Sequence, residues 1–248
     1  MRTNRILFIS AIVVLSIALI SPIVSDDSLS IVKLERIPRI KQLNNYCGPA
    51  TMTSVLQYFG ENITQQDIGA EIYDSVGGST HGADMLFYAK NKGYAAYSWN
   101  SGIDDAKHKL AAGFPVLVLQ QNSLRDTSGH FRVLTGYDDA ECKFFVTDSY
   151  YDDITELSYE LCEKLWKPKG YWALLVAPAD RDSFAADLKY KNPVVHMDMS
   201  HALFKHGRYS EALKEINTAL SMEPSNHYAI SMLSKINGAI GAGRKSKP

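Results

Sequence analysis

Cys47, His130 and Asp148 are the residues of this 248-residue chain whose types and spacing fit covalent chemistry. Cys47 precedes Gly48-Pro49 at the predicted start of a helix. Helix-terminal N–H groups and the helix dipole favour a thiolate there. Position alone leaves a buried structural thiol equally open. His130 follows Ser128-Gly129 at the mouth of a predicted strand, where an imidazole can serve as a base. A hairpin centred on Asp139 pairs His130 with Asp148, Arg132 with Val146 and Leu134 with Phe144. Directly opposed side chains of that kind stand about 5 Å apart at Cβ. A carboxylate beside an imidazole fixes its tautomer and steadies its cation. Gln42, five residues before Cys47, is a candidate oxyanion donor together with the Cys47 N–H.

These residues must be carried by helices first and strands later. Residues 29–40 read as an extended lead-in. Met52, Val55, Leu56 and Phe59 recur at helical spacing from Gly48 to Tyr58, with Pro49 suited to the first turn and Gly60 to the stop. Further helices are expected at 65–73, 83–92, 103–112 and 158–165. Strands are expected at 94–99, 116–119, 131–137, 143–147 and 171–177. The predicted class is α+β with a mainly antiparallel sheet.

Two flanking segments differ from this body. Arg2 and Arg5 precede an apolar run from Ile6 to Ile20, and Asp26 and Asp27 follow. Residues 1–25 therefore read as a signal peptide or, counted on to Val24, an N-terminal membrane anchor. Either way the body is placed beyond the membrane, so an exported location is expected. Pro178 to Asp182 reads as a boundary. Residues 183–240 are predicted all-helical, and Ser200, Leu203, Tyr209, Ala212, Ile216, Ala219 and Pro224 fall close to tetratricopeptide spacing. One such unit must lean on the main domain, a partner or a copy of itself. Residues 241–248, with Gly241 and Gly243, read as a flexible tail.

The string Gln42-Leu43-Asn44-Asn45-Tyr46-Cys47-Gly48-Pro49-Ala50 resembles the active-site helix of bacteriocin-processing, double-glycine-leader cysteine peptidases and their exported relatives. Gly129 to Asp138 is similar to that family's histidine segment, and Val146-Thr147-Asp148-Ser149 to its aspartate segment. The resemblance spans about residues 36–178. It implies a papain-like fold over 29–178 and a Cys47–His130–Asp148 triad with Gln42 at the oxyanion. It also implies a peptide or protein substrate and an envelope location in bacteria. The chain has no transporter segment or nucleotide-binding motif, which separates it from the processing enzymes.

Other chemistry finds less support. The 26 basic and 27 acidic residues give a net charge of −1, and no basic stripe points to nucleic acid. There is no HExxH and no paired CxxC, so neither metal nor cofactor is expected. His196, His201 and His206 spread around a helix. Asp148, Asp152 and Asp153 suit a solvated turn better than calcium. Cys142 and Cys162 are free thiols or a bridge; spacing does not choose. Two functions remain: a cysteine peptidase, with amidase or acyl-transfer variants, and a silent peptide-binding module whose helical tail recruits a partner. The joint presence of Cys47, His130 and Asp148 favours the enzyme.

Overall fold

The computed structural model describes residues 30–189 and 191–245. The proposed signal or anchor over 1–25 lies outside them. Sixteen elements follow in chain order. They begin with β1 (Ile31–Lys33), α1 (Cys47–Tyr58), α2 (Gln65–Ile72), α3 (Gly82–Asn91), β2 (Ala95–Asn100) and α4 (Ile103–Ala111). Then come β3 (Val116–Gln121), β4 (Gly129–Asp138), β5 (Lys143–Asp148), β6 (Glu156–Ser158), α5 (Tyr159–Trp166) and β7 (Trp172–Ala177). The last are α6 (Ala186–Lys189), α7 (Pro193–Lys205), α8 (Tyr209–Met222) and α9 (His227–Lys245).

The strands form one sheet in the order β2-β7-β3-β4-β5-β6, with β1 on β4, and every pair is antiparallel. Both faces are covered. Met52, Val55, Leu56, Ile68, Met85 and Leu86 of α1–α3 pack against Leu117, Val133 and Leu174. Ala106, Leu110, Cys162 and Trp166 of α4 and α5 pack against Val116, Val118, Leu134 and Val146. A sheet covered on both faces needs near-continuous apolar strands, as in Val116-Leu117-Val118-Leu119. It also means that a charged residue inside β4 is buried.

The β4–β5 hairpin departs from the sequence-based register. Asp148 is opposite Arg132, and Leu134 is opposite Val146. Past a bulge at Thr135, Gly136 is opposite Phe145 and Asp138 opposite Lys143. The turn thus spans Asp139 to Cys142, with Cys142 at φ 49°. The bulge inserts one residue into β4 and leaves Thr135 free to accept a bond from the Leu34 N–H at 2.8 Å. A slip of two keeps Asp148 on the same face, diagonal to His130.

Gly136 lies where β1 crosses β4. A Cβ there would stand 2.2 Å from the Val32 carbonyl oxygen. Gly136→Ala is expected to push β1 off and to cost about 1–3 kcal/mol, as overpacking does. Thermal unfolding checks this: a midpoint lowered by several degrees is expected, and an unchanged midpoint refutes the close approach.

The C-terminal helices are docked on the sheet domain. Val195 of α7 joins the core shared by α1–α3 and the sheet, with α7 packed against α3 and β2. Asn192 Nδ2 donates to the Ser98 carbonyl at 2.9 Å, Trp172 Nε1 to Asp198 Oδ2 at 2.8 Å and Lys205 Nζ to Asp84 Oδ2 at 2.6 Å. The segment at 178–182 thus joins the sheet domain to helices that pack on it. Leu203, Ala212, Ile216, Ala229, Met232 and Ile236 make a third small core between α7, α8 and α9. Helix α9 runs on to Lys245, past the end near 240 expected from the glycines. Among the described residues, no helix is long and apolar enough to cross a membrane.

Candidate active site

Cys47 is the first residue of α1, and no side chain caps that helix. Its first-turn N–H groups are therefore left for the site. Asn45, at φ 58°, makes the turn that brings the chain into the helix, closed by Tyr46 N–H to the Leu43 carbonyl at 3.0 Å. Gly48 lets this end approach the α2–α3 loop: a Cβ would meet Thr80 Cβ at 2.8 Å. Ser54 Oγ donates to the Pro38 carbonyl at 2.6 Å, tying the lead-in along α1.

His130 projects toward Cys47 and is buried. Its Nε2 is 3.0 Å from Asp148 Oδ1, which leaves Nδ1 for the thiol. Asp148 is also buried, and four groups donate to its carboxylate. Oδ1 takes His130 Nε2 and the N–H groups of Tyr150 and Tyr151, at 2.8 and 3.0 Å. Oδ2 takes Arg132 Nε at 2.7 Å.

The protonation states follow from these contacts. Burial opposes the Cys47 thiolate. The hydrogen bond and charge of His130, with the N–H groups of Phe131 and Gly48, outweigh it and hold the thiol below its ordinary range. Burial likewise opposes the His130 cation, but bonds to Asp148 and Cys47 raise it above the usual imidazole value. Burial would raise Asp148; His130, the Tyr151 N–H and Arg132 instead pull it down to about 2.

Gln42 stands beside this pair. Its Oε1 accepts from Ser149 Oγ at 2.8 Å, and its N–H donates to the Ser149 carbonyl at 2.9 Å. The amide nitrogen is thereby turned away from Ser149. Gln65 holds the segment: its Oε1 accepts from Leu43 N–H and its Nε2 donates to the Lys41 carbonyl, each at 2.9 Å. Gln42, Cys47 and His130 open on a cleft of about 430 Å³. Gly78 and Ser79 form one wall, and Asn122, Asp126, Ser128 and Tyr150 line the rest.

All four sequence-predicted site residues are thus brought to one place: Cys47, His130 and Asp148 in a bonded chain, and Gln42 at the cleft. A model of the Peptidase C39-like family matches residues 34–177. This chain belongs to that family. A crystal structure of a protein assigned as a C39-like peptidase from Bacillus anthracis superposes with a TM-score of 0.50. It is 18% identical over 60% of this chain and 98% of that one, and it shares the fold. A double-glycine-motif protease from an AMS/PCAT transporter, solved with its leader peptide, is 19% identical over 59% of this chain and 94% of its own, with a TM-score of 0.48. The peptidase domain of Streptococcus ComA, a bifunctional ABC transporter of a quorum-sensing pathway, is 18% identical over 58% and 99%, also with a TM-score of 0.48. No curated protein matches the sequence. The C39-like region ends at β7, so α7–α9 lie beyond it.

In this C39-like domain the sequence reading missed one charged residue of the site. Arg132 is 1% exposed and Asp148 0%. Its signal was legible: an arginine inside Phe131-Arg132-Val133-Leu134 can be buried only with a partner. Asp148, Asp152 and Asp153 do not converge. Asp148 is committed to His130 and Arg132, and Asp152 pairs with Arg39. Among the described residues no three His, Cys, Asp or Glu side chains group as metal ligands. Cys142 is an exposed free thiol in the β4–β5 turn. Cys162 is a buried one, 3.1 Å from Gln120 Nε2, and burial pushes it up to about 12.

Proposed function

We propose that this C39-like protein is an exported cysteine peptidase that cleaves peptide bonds through Cys47, His130 and Asp148. The observation that carries the reading is the bonded chain from a helix-terminal thiol through His130 to a buried, ionised Asp148. In the reaction, the Cys47 thiolate attacks the scissile carbonyl. The oxyanion is held by the Cys47 N–H and Gln42 Nε2. His130 gives its Nδ1 proton to the leaving amine, leaving a thioester. His130 then takes a proton from water, which attacks the thioester, and returns it to the sulfur as the acid departs. Asp148 keeps Nε2 protonated throughout.

Export rests on the basic start, apolar middle and acidic exit of residues 1–27. The carboxyl-terminal helices, with Ala212 and Ala219 buried between them, we read as a tetratricopeptide-like unit that presents a protein-binding face.

The direct test is cleavage of a mixed peptide library by residues 26–248, with product ends read by mass spectrometry. Discrete products from the wild type support the reading. Intact peptides, under conditions where iodoacetamide still labels Cys47, count against it.

Removing the oxyanion donor should act on the chemical step. Gln42→Ala is expected to lower kcat about 10²–10³-fold with little change in KM. An effect confined to KM would place Gln42 in substrate binding instead.

The pH dependence has a definite sign. The reactive form needs a thiolate and an imidazolium together. Activity should rise with pH through the lowered Cys47 value and fall through the raised His130 value. A bell in kcat/KM is expected, its limbs belonging to the pair and its ascending limb below the ordinary thiol range. A single ascending limb near the ordinary thiol value of about 8.5 would contradict it.

A further inference from the structure

Arg132 lies two residues beyond His130 on the same face of β4, and Asp148 is directly opposite. Its guanidinium makes four hydrogen bonds. Nε donates to Asp148 Oδ2 at 2.7 Å. Nη1 donates to Gln120 Oε1 at 3.2 Å and to the Gln121 carbonyl at 3.1 Å. Nη2 donates to the Asn122 carbonyl at 2.9 Å. Asn122 in turn closes a ring of contacts. Its Nδ2 donates to Asp126 Oδ2 at 2.7 Å and to Tyr151 Oη at 3.2 Å. The Tyr151 N–H returns to Asp148 Oδ1, and its ring meets the His130 ring edge-on at 6.4 Å.

We propose that Arg132 is a positioning residue: it holds Asp148 ionised and aimed at His130, and it clamps the 121–126 rim of the cleft to that pair. This rests on the cysteine-peptidase reading of the site. Without Arg132, a carboxylate at 0% exposure would keep only His130 and the Tyr150 and Tyr151 N–H groups at Oδ1, with Oδ2 left bare, and would hold a proton more readily. A protonated Asp148 accepts poorly from Nε2, so His130 would lose the anion that supports its cation. Arg132 prevents this with a charge that no accessible pH removes. Its planar fork reaches three further oxygens at fixed angles, which an ammonium on a flexible stem does not reproduce.

The groups facing His130 are Cys47 on α1, Asp148 on β5, Arg132 on its own strand, Asp126 on the rim and the Tyr151 ring. Arg132 and Asp148 act on the imidazole with opposite signs, and direct repulsion by Arg132 slightly disfavours the cation. Removing Arg132 would therefore stabilise the imidazolium if its direct charge were all that mattered. It would destabilise the imidazolium if Arg132 works through Asp148. The proposal requires the second sign.

The experiment uses iodoacetamide labelling of Cys47 across pH, read by mass spectrometry, in the full chain after export or in residues 26–248. Arg132→Met is expected to raise the labelling midpoint by about one pH unit or more toward that of a free thiol. Arg132→Lys is expected to recover part of the shift. Asp148→Asn should raise the midpoint similarly, and adding Arg132→Met to it should change nothing further. The Arg132→Met/Asp148→Asn pair buries no charge, so it remains measurable if Arg132→Met alone does not fold. Arg132→Lys supplies the remaining comparison in that case. An unchanged or lowered midpoint in folded Arg132→Met overturns the proposal, as does an equal shift added to Asp148→Asn. His130→Ala separates the two readings. If it leaves the Cys47 midpoint unmoved, the Cys–His pair itself is absent. If it raises the midpoint while the Arg132 variants do not, only the positioning role fails.

Discussion

Cys47→Ala is expected to reduce peptide hydrolysis by about 10⁴-fold or more, to the level left by binding and the oxyanion donors alone. That loss corresponds to about 5.5 kcal/mol of transition-state stabilisation. No other group in the cleft can replace it: Ser79 and Ser128 line the walls, but neither has a hydrogen bond to His130. His130→Ala should lose nearly as much, because members of a catalytic unit are not additive. It should also return Cys47 labelling to the ordinary thiol range. The measurement is the initial rate on any peptide the wild type cleaves, with circular dichroism to show an unchanged fold. A Cys47→Ala protein that retains a tenth of the rate would end the covalent mechanism.

The second large effect is on stability. Asp148→Ala leaves the Arg132 guanidinium buried with no counter-charge, a change that costs about 3–5 kcal/mol. At 2–4 °C per kcal/mol for a domain of this size, the melting midpoint should fall by roughly 10 °C or more. Pairing it with Arg132→Met should restore much of the loss, since neither charge then remains. A single Asp148→Ala midpoint within a degree or two of the wild type would show that Arg132 finds water or another anion. The wild type carries a related acid sensitivity. The folded Asp148 value of about 2 lies below the unfolded value of about 3.9. Its stabilisation is therefore complete above pH 4–5 and is lost as pH falls toward 2.

How much of this was legible depended on where each signal is written. The helix that carries Cys47 announces itself in Pro49, Gly60 and the spacing of Met52, Val55 and Leu56, and the structure places it at Cys47–Tyr58. That His130 and Asp148 share a face was expected from a turn centred on Asp139, and it holds for another reason. The turn pairs Asp138 with Lys143, a frame that alone would set the two on opposite faces, and the bulge at Thr135 restores the shared face. The register was not legible, because it turns on that bulge and on Cys142 in the left-handed region. Neither residue type favours such a conformation; the contact of Thr135 with Leu34 on the lead-in holds the bulge, and that contact is long-range. Strand β6 was missed because three residues carry no periodicity. That the carboxyl-terminal helices must lean on the main domain, a partner or a copy was legible, but not which: an amphipathic helix declares an apolar face, not the surface that covers it.

The placement of Val195 also bears on how the chain is made. β2 pairs with β7, and Val195 of α7 joins the core shared by α1–α3 and the sheet. A ribosome synthesises the Cys47 helix long before it reaches any of these partners. The nascent sheet cannot close its order until residue 177 emerges, nor fill its core until Val195 does. Contacts of such long sequence separation form late and slowly. The thiol and the imidazole therefore gain their fixed setting only once β7 has joined β2 to β3 and Val195 has entered the core.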